Sequence, residues 1–214
     1  MTSTVGGRLL IVGALGAETL PILRALSRPR PLSARLVAGF IADRPVAVLT
    51  CGVGPDKAAR RVAAALPLWD AQQVVSIGTC GGLVDSLSVG SVVTATRLFH
   101  EDAPCPAPLP WPGIEPATII TVRRGVFTAS RRADLAARGG TVCEMEAAAV
   151  QSVVGLRPFT TLKVVSDLAG GASDDPPTRP GPMDFARFKA VALRLSAEHL
   201  LPVLSLRQAR DHRG

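Results

Sequence analysis

Short apolar runs alternate along this chain with segments of helical period, and this alternation constrains the fold more than any other feature. Arg8 to Val12, Leu36 to Ile41, Pro45 to Thr50, Val74 to Ile77, Val89 to Ala95, Ile119 to Val122, Gly125 to Thr128 and Thr160 to Val165 read as strands. Leu20, Leu23 and Leu26 recur at the spacing of a helix face. Asp56 to Leu66, Ser130 to Arg138, Glu144 to Val153 and Met183 to Leu206 read as further helices. Strands and helices in this order pack as layers around a mixed or mostly parallel sheet, so the expectation is one α/β domain over residues 1–214. Ala103 to Pro116 holds six prolines and is expected to be a surface loop over a site, and Gly170 to Gly181 a flexible polar connection.

Composition removes several function classes. With 47% hydrophobic and 19% charged residues the chain can bury a core, yet its apolar runs are too short to span a bilayer. Met1 to Arg8 lacks the pattern of an export signal, which points to the cytoplasm. Cys51, Cys80, Cys105 and Cys143 stand far apart, and His100, His199 and His212 are the only histidines. Neither a metal site nor a disulfide framework is signalled, and free thiols in a reducing compartment are expected. The net charge of +7 raises the possibility of a nucleic-acid partner, but aromatics are 4% of the chain and tyrosine is absent, so stacking platforms are lacking. Arg124, Arg131, Arg132, Arg207, Arg210 and Arg213 are scattered and read as a solvated surface.

Ligands of open α/β sheets bind beyond the carboxyl ends of strands, and four such places carry chemistry here. They are Glu18 after the first strand, Gly78-Thr79-Cys80-Gly81-Gly82, Glu144-Met145-Glu146, and Ser166-Asp167. An ionised carboxylate only accepts hydrogen bonds, so a partly buried glutamate needs hydroxyl or amide donors, and a sugar diol supplies two. Each place has a plainer reading when taken alone. Glu18 and Glu146 could be first-turn helix acids, Asp167 a turn cap, and the glycines a means to positive φ. Gly52-Val53-Gly54 does not extend to a dinucleotide loop, because Lys57 occupies the third glycine position.

Taken in order, six segments resemble the nucleoside phosphorylase and nucleosidase superfamily, most closely its methylthioadenosine/S-adenosylhomocysteine nucleosidase branch. They are Ile11 to Glu18, Cys51 to Ala59, Gly78 to Leu83, Val89 to Val93, Glu144 to Ala147, and Val165 to Asp167. The resemblance implies a three-layer α/β/α sandwich around a twisted mixed β-sheet, often as a homodimer, with neither metal nor organic cofactor. It implies that Glu146 holds the ribose 2′ and 3′ hydroxyls, that Met145 packs on the sugar, and that Glu144 orders the pocket. Asp167 would promote proton delivery to purine N7, with Ser166 orienting it, while Glu18 would activate water beside Thr79. Phe127 would lie against the purine, and Phe185 or Phe188 over the 5′ side.

Breaking an N-glycosidic bond passes through an oxocarbenium-like transition state, so the base must be neutralised as a nucleophile reaches C1′. Asp167 would therefore need a proton, favoured by desolvation, and Glu18 an ionised carboxylate: opposite duties in one cavity. A phosphorylase would need cations for phosphate. Ser76 stands where the hexameric phosphorylases carry an arginine, and Glu18 would repel the dianion. Hydrolysis of a purine nucleoside is thus the expected activity. Phosphorolysis, with charge from Arg24, Arg97 or a neighbouring subunit's copy of Arg44, and nucleoside binding without cleavage are the alternatives. Arg97 to Phe127 is shorter than in the nucleosidases, which leaves the base and the 5′ substituent open.

Overall fold

The structure is a computed structural model and describes residues 7–168 and 182–205. The elements run β1 (Leu9–Gly13), α1 (Gly16–Ala25), β2 (Ser27–Ser33), β3 (Leu36–Ile41), β4 (Arg44–Thr50), α2 (Pro55–Ala65) and β5 (Gln73–Gly82). They continue β6 (Val92–His100), β7 (Ala103–Pro104), β8 (Glu115–Thr121), α3 (Ala129–Ala137), β9 (Val142–Glu144), α4 (Ala147–Gln151), β10 (Phe159–Asp167) and α5 (Pro182–Leu195). A π-helical turn, Ser196–Leu200, extends α5.

One mixed sheet carries the strands in the order β10-β6-β8-β9-β5-β1-β4-β3-β2, with β7 beside β6. β10 also pairs with β5, so β5, β10, β6, β8 and β9 curl into a closed ring while β1 to β4 extend from it as an open sheet. β1 lies parallel to both β4 and β5, setting Leu10 opposite Ala47 and Val74.

Alternation along β1 builds the layers. Leu10 and Val12 enter a core with Ala58 and Val62 of α2 and Ala147 and Val150 of α4. Leu9 and Ile11 face the other way, against Ile22 of α1 and Leu195 and Leu200 at the chain's C-terminal helix. Each such side chain taken from water contributes about 1.5–3 kcal/mol. Both faces being covered explains why these strands read as continuous apolar runs. The expected three-layer α/β architecture is therefore present.

Several expected elements differ. Gly125 to Thr128 is not a strand, because the Thr128 hydroxyl accepts the Arg131 N–H at 3.3 Å and caps α3. β2 is a strand despite Pro29 and Pro31, which an exposed edge tolerates. Helix α4 starts only at Ala147, since Glu144 belongs to β9. Val74 to Ile77 lies in the first half of the longer β5, which takes in the whole glycine-rich segment. The proline-rich stretch is not wholly at the surface: Trp111 is buried, its N–H donating to Thr94 Oγ1 at 2.9 Å. Gly170 to Gly181 lies outside the described residues.

Candidate active site

Glu18 sits in the first turn of α1 and is 3% exposed. Its Oε2 accepts the N–H groups of Ala14 at 3.1 Å and Leu15 at 2.9 Å, which is the work of a helix-start acid. Its Oε1 does something further, accepting the Thr79 N–H at 2.9 Å and the Thr79 hydroxyl at 3.0 Å across the sheet. Four donors satisfy a carboxylate, and the Thr79 hydroxyl is the one donor that can rotate away to admit another. Gly78 makes the approach possible. A Cβ there would lie 2.9 Å from Glu18 Oε1, and the φ of +144° is one that side chains rarely adopt.

Glu144 ends β9 and meets Lys163 from the middle of β10, with Nζ 2.9 Å from Oε2 and both side chains 1% exposed. Thr121 Oγ1 donates to Glu144 at 2.5 Å, and the N–H groups of Glu146 and Ala147 donate at 3.0 and 2.9 Å. Glu144 is thus the acid that caps α4. Burial works against its charge, but Lys163 and these hydrogen bonds outweigh it and hold the carboxyl below its ordinary range. Burial likewise opposes the Lys163 charge, and Glu144 and then Glu146 overcome it, so the ammonium is held above its usual range. Lys163 also reaches the carbonyl of Ile77 at 3.4 Å.

Glu146 has no such cap to make. Its Oε1 accepts the Gly54 N–H at 2.8 Å, at the start of α2. Burial first, and the neighbouring Glu144 charge second, push Glu146 up to about 7, against the pull of Lys163. Glu18 adds to the same repulsion. Glu144 touches Lys163, Glu146 and then Glu18 act on the same ammonium through space, and Thr79 holds Glu18, so these five residues form one electrostatic group.

Asp167 lies four positions beyond Lys163 on β10, past a break in the register with β5. Its Oδ1 accepts the Ser166 hydroxyl at 2.7 Å, and its Oδ2 is paired with the Arg132 guanidinium. The Asp167 side chain is 48% exposed while that of Arg132 is 7% exposed. The desolvation expected around Asp167 is thus not present in the free chain. Cys80, buried between the two groups, links them: burial raises its thiol, and Lys163, Glu144 and Asp167 all act on it.

Met145 packs with Leu83, Ile120, Val122 and Leu135. Phe127 is half exposed, its ring folded over Gly125. Phe185 and Phe188 are exposed on α5. Of the arginines considered for phosphate, Arg44 is held by Gly7 O and Gln73 Oε1, and Arg97 stacks on Phe99 at 5.2 Å.

Two residues escaped the sequence reading. Lys163 is a lone charge inside the apolar run Thr160 to Val165, a signal that a buried carboxylate must face it. Arg132, read as part of a solvated surface, is instead buried. Arg131 beside it does point outward, to Asp134 and Glu101. Three of the four cysteines are buried and all are free, with burial raising Cys51 to about 12.

The sequence profile of the Phosphorylase superfamily matches residues 8–125, just over half of the chain. A 5′-methylthioadenosine/S-adenosylhomocysteine nucleosidase of Glaesserella parasuis is 24% identical over 236 residues, covering 91% of this chain and 97% of that protein. Among solved structures, the nucleosidase of the same description from Neisseria meningitidis, in complex with methylthio-immucillin-A, superposes with a TM-score of 0.75 at 22% identity, over 93% of this chain and 99% of that one. A Colwellia psychrerythraea nucleosidase in complex with adenine gives 0.76 at 20% identity, over 95% and 96%. The futalosine hydrolase of Helicobacter pylori gives 0.72 at 20%, over 92% and 97%. The ring-and-sheet fold and the profile match agree, and this chain belongs to the Phosphorylase superfamily.

Proposed function

We propose that this chain hydrolyses the N-glycosidic bond of a purine nucleoside, of the methylthioadenosine or S-adenosylhomocysteine kind, to free base and pentose. The observation that carries this reading is the sign of the polar core. Glu144 pairs with the Lys163 ammonium, and Glu146 and Glu18 act on the same cation through space, so carboxyls outnumber cations in a setting that suits water and a sugar diol and repels a phosphate dianion. The nucleosidases of Glaesserella parasuis and Neisseria meningitidis support the same choice.

In the reaction, Glu18 takes a proton from water as its oxygen bonds to C1′, and the C1′–N9 bond breaks with its electron pair going to the base. Asp167 relays a proton from solvent, at its exposed side, to N7, so the base leaves neutral, and Glu18 returns the proton it took from water to solvent. Glu146 accepts the ribose hydroxyls, and Glu144 with Lys163 fixes the turn on which Glu146 stands. Thr79 and Ser166 orient the two carboxyls, Met145 and Phe127 line the sugar and base sides, and no metal or organic cofactor takes part.

We further infer one domain over residues 1–214, acting as a cytoplasmic homodimer. Among the described residues no helix is long and apolar enough to cross a membrane, and the buried free thiols suit a reducing compartment. Leu68, Leu109 and Leu156 are exposed apolar side chains available to a second copy. Light scattering on the purified chain tests the dimer.

The decisive experiment incubates the protein with a panel of purine nucleosides varied in base and 5′ group, with and without phosphate. Free base and free pentose in both conditions are expected. Pentose-1-phosphate formed only with phosphate would make the chain a phosphorylase, and nucleoside binding with no base release would make it a binding protein.

A further inference from the structure

Among the described residues, Arg132 is the buried charged side chain that the proposed reaction leaves unused, and its surroundings are unusual. It projects from α3, yet its guanidinium is buried against the far end of β5 and β10. One terminal nitrogen is paired with Asp167 Oδ2 and lies 3.4 Å from the Val126 carbonyl, while the other lies 3.5 Å from the Gly82 carbonyl. Its Nε is buried without a partner. A cation withdrawn from water in this way is costly unless a carboxylate compensates it, and Asp167 is that carboxylate. The pairing is lopsided, because Arg132 is almost wholly buried and Asp167 is half exposed. Arg132 thus grips Asp167 from behind while leaving its outer side open.

We propose that Arg132 is a positioning residue for base departure, holding the Asp167 carboxyl toward the base from one side as Ser166 does from the other. The two grips divide the carboxyl, Ser166 on Oδ1 and Arg132 on Oδ2. Together they fix its plane, which a single serine contact would leave free to rotate. The same guanidinium joins Asp167 to the Val126 carbonyl, next to Phe127, and so links the acid to the loop before α3. Arg132 touches neither sugar nor water and acts only through Asp167.

This inference rests on the nucleosidase reading, and the test separates the two. Wild type, Arg132→Met, Arg132→Lys and Asp167→Asn are compared on a purine nucleoside, whose base needs a proton to leave, and on p-nitrophenyl riboside, whose phenolate leaves without one. Arg132→Met is expected to lower kcat on the purine nucleoside by at least about tenfold, with KM little changed. Turnover of the nitrophenyl riboside stays within about twofold of wild type, which also reports an intact fold. Arg132→Lys, which keeps the cation without the fork, shows the same selective loss in smaller measure. Combining Arg132→Met with Asp167→Asn adds nothing to Asp167→Asn alone. Equal losses on both substrates in the methionine and lysine variants, or full purine activity in Arg132→Met, overturn the proposal. A wild-type protein that releases no base from any purine nucleoside sinks the nucleosidase reading and this inference with it.

Discussion

Glu146 must be an anion to accept a sugar hydroxyl on each of its two oxygens, yet burial and the Glu144 charge raise it to about 7. At pH 7 about half of the free sites are then protonated. Both oxygens accept hydroxyls only in the ionised form, because a protonated carboxyl must donate from one of them, so substrate pulls the proton off and about half a proton per site is released on binding at that pH. Below pH 7 more sites must lose a proton before binding, and KM rises by about tenfold per pH unit once well below it. Above pH 8 the release fades. Titration calorimetry in two buffers of different ionisation enthalpy measures this directly, and zero release at pH 7 would remove Glu146 from the sugar. Glu18 answers to a different test. Glu18→Gln turns an amide NH2 toward two of its four donors, costing about 1–3 kcal/mol in a thermal melt. It should also cut kcat by about 10²–10⁴, and a variant that keeps near-wild-type kcat would end the water-activating role.

At the scale of elements, the site depends on β9 and β10 meeting through Glu144 and Lys163. Lys163→Met leaves the Glu144 carboxylate buried without its partner, at a cost of about 3–5 kcal/mol in urea denaturation. Adding Glu144→Gln should recover part of this, and a destabilisation under about 1 kcal/mol would mean that water already reaches the pair. Much of this arrangement is readable from sequence, because β1 and β4 are buried on both faces with continuous apolar runs, and the run of β10 from Phe159 to Val165 carries a single charge, Lys163. The strand-to-helix junction at Glu144 and Glu146 is readable too, as two acids where a helix begins. Which acid caps and which is free is not, since Thr121, Gly54 and Lys163 decide it from distant parts of the chain. Arg131 and Arg132 make the same point. Neighbours of identical type, one solvated and one buried, are separated only by the face of α3 that meets Asp167. β2 was hidden by its own chemistry, because prolines and arginines do not look like a strand until an edge is known to need them.

Across the whole molecule the two parts of the sheet should differ in how they open. The ring of β5, β10, β6, β8 and β9 has no free edge of its own and holds every carboxyl of the proposed site except Glu18 and Glu146. β1 is clamped between β4 and β5, and all five of its residues are buried. β2 sits at the open end, pairs only with β3 through an irregular register, and has six exposed residues of seven. Exchange of backbone hydrogen with deuterium follows local opening, so amides of β1, β5 and β10 should exchange only through global unfolding. Those of β2 should exchange orders of magnitude sooner, with Pro29 and Pro31 contributing no amide at all. A bound transition-state-like nucleoside analogue should then slow exchange at Gly54, Thr79 and Glu146, the backbone groups that hold the three site glutamates Glu146, Glu18 and Glu144, and leave β2 unchanged. Mass spectrometry of peptides from each strand reads all three regions in one experiment. Protection of β2 equal to that of β1 in the free protein would contradict its exposed edge and mean that another surface covers it in solution.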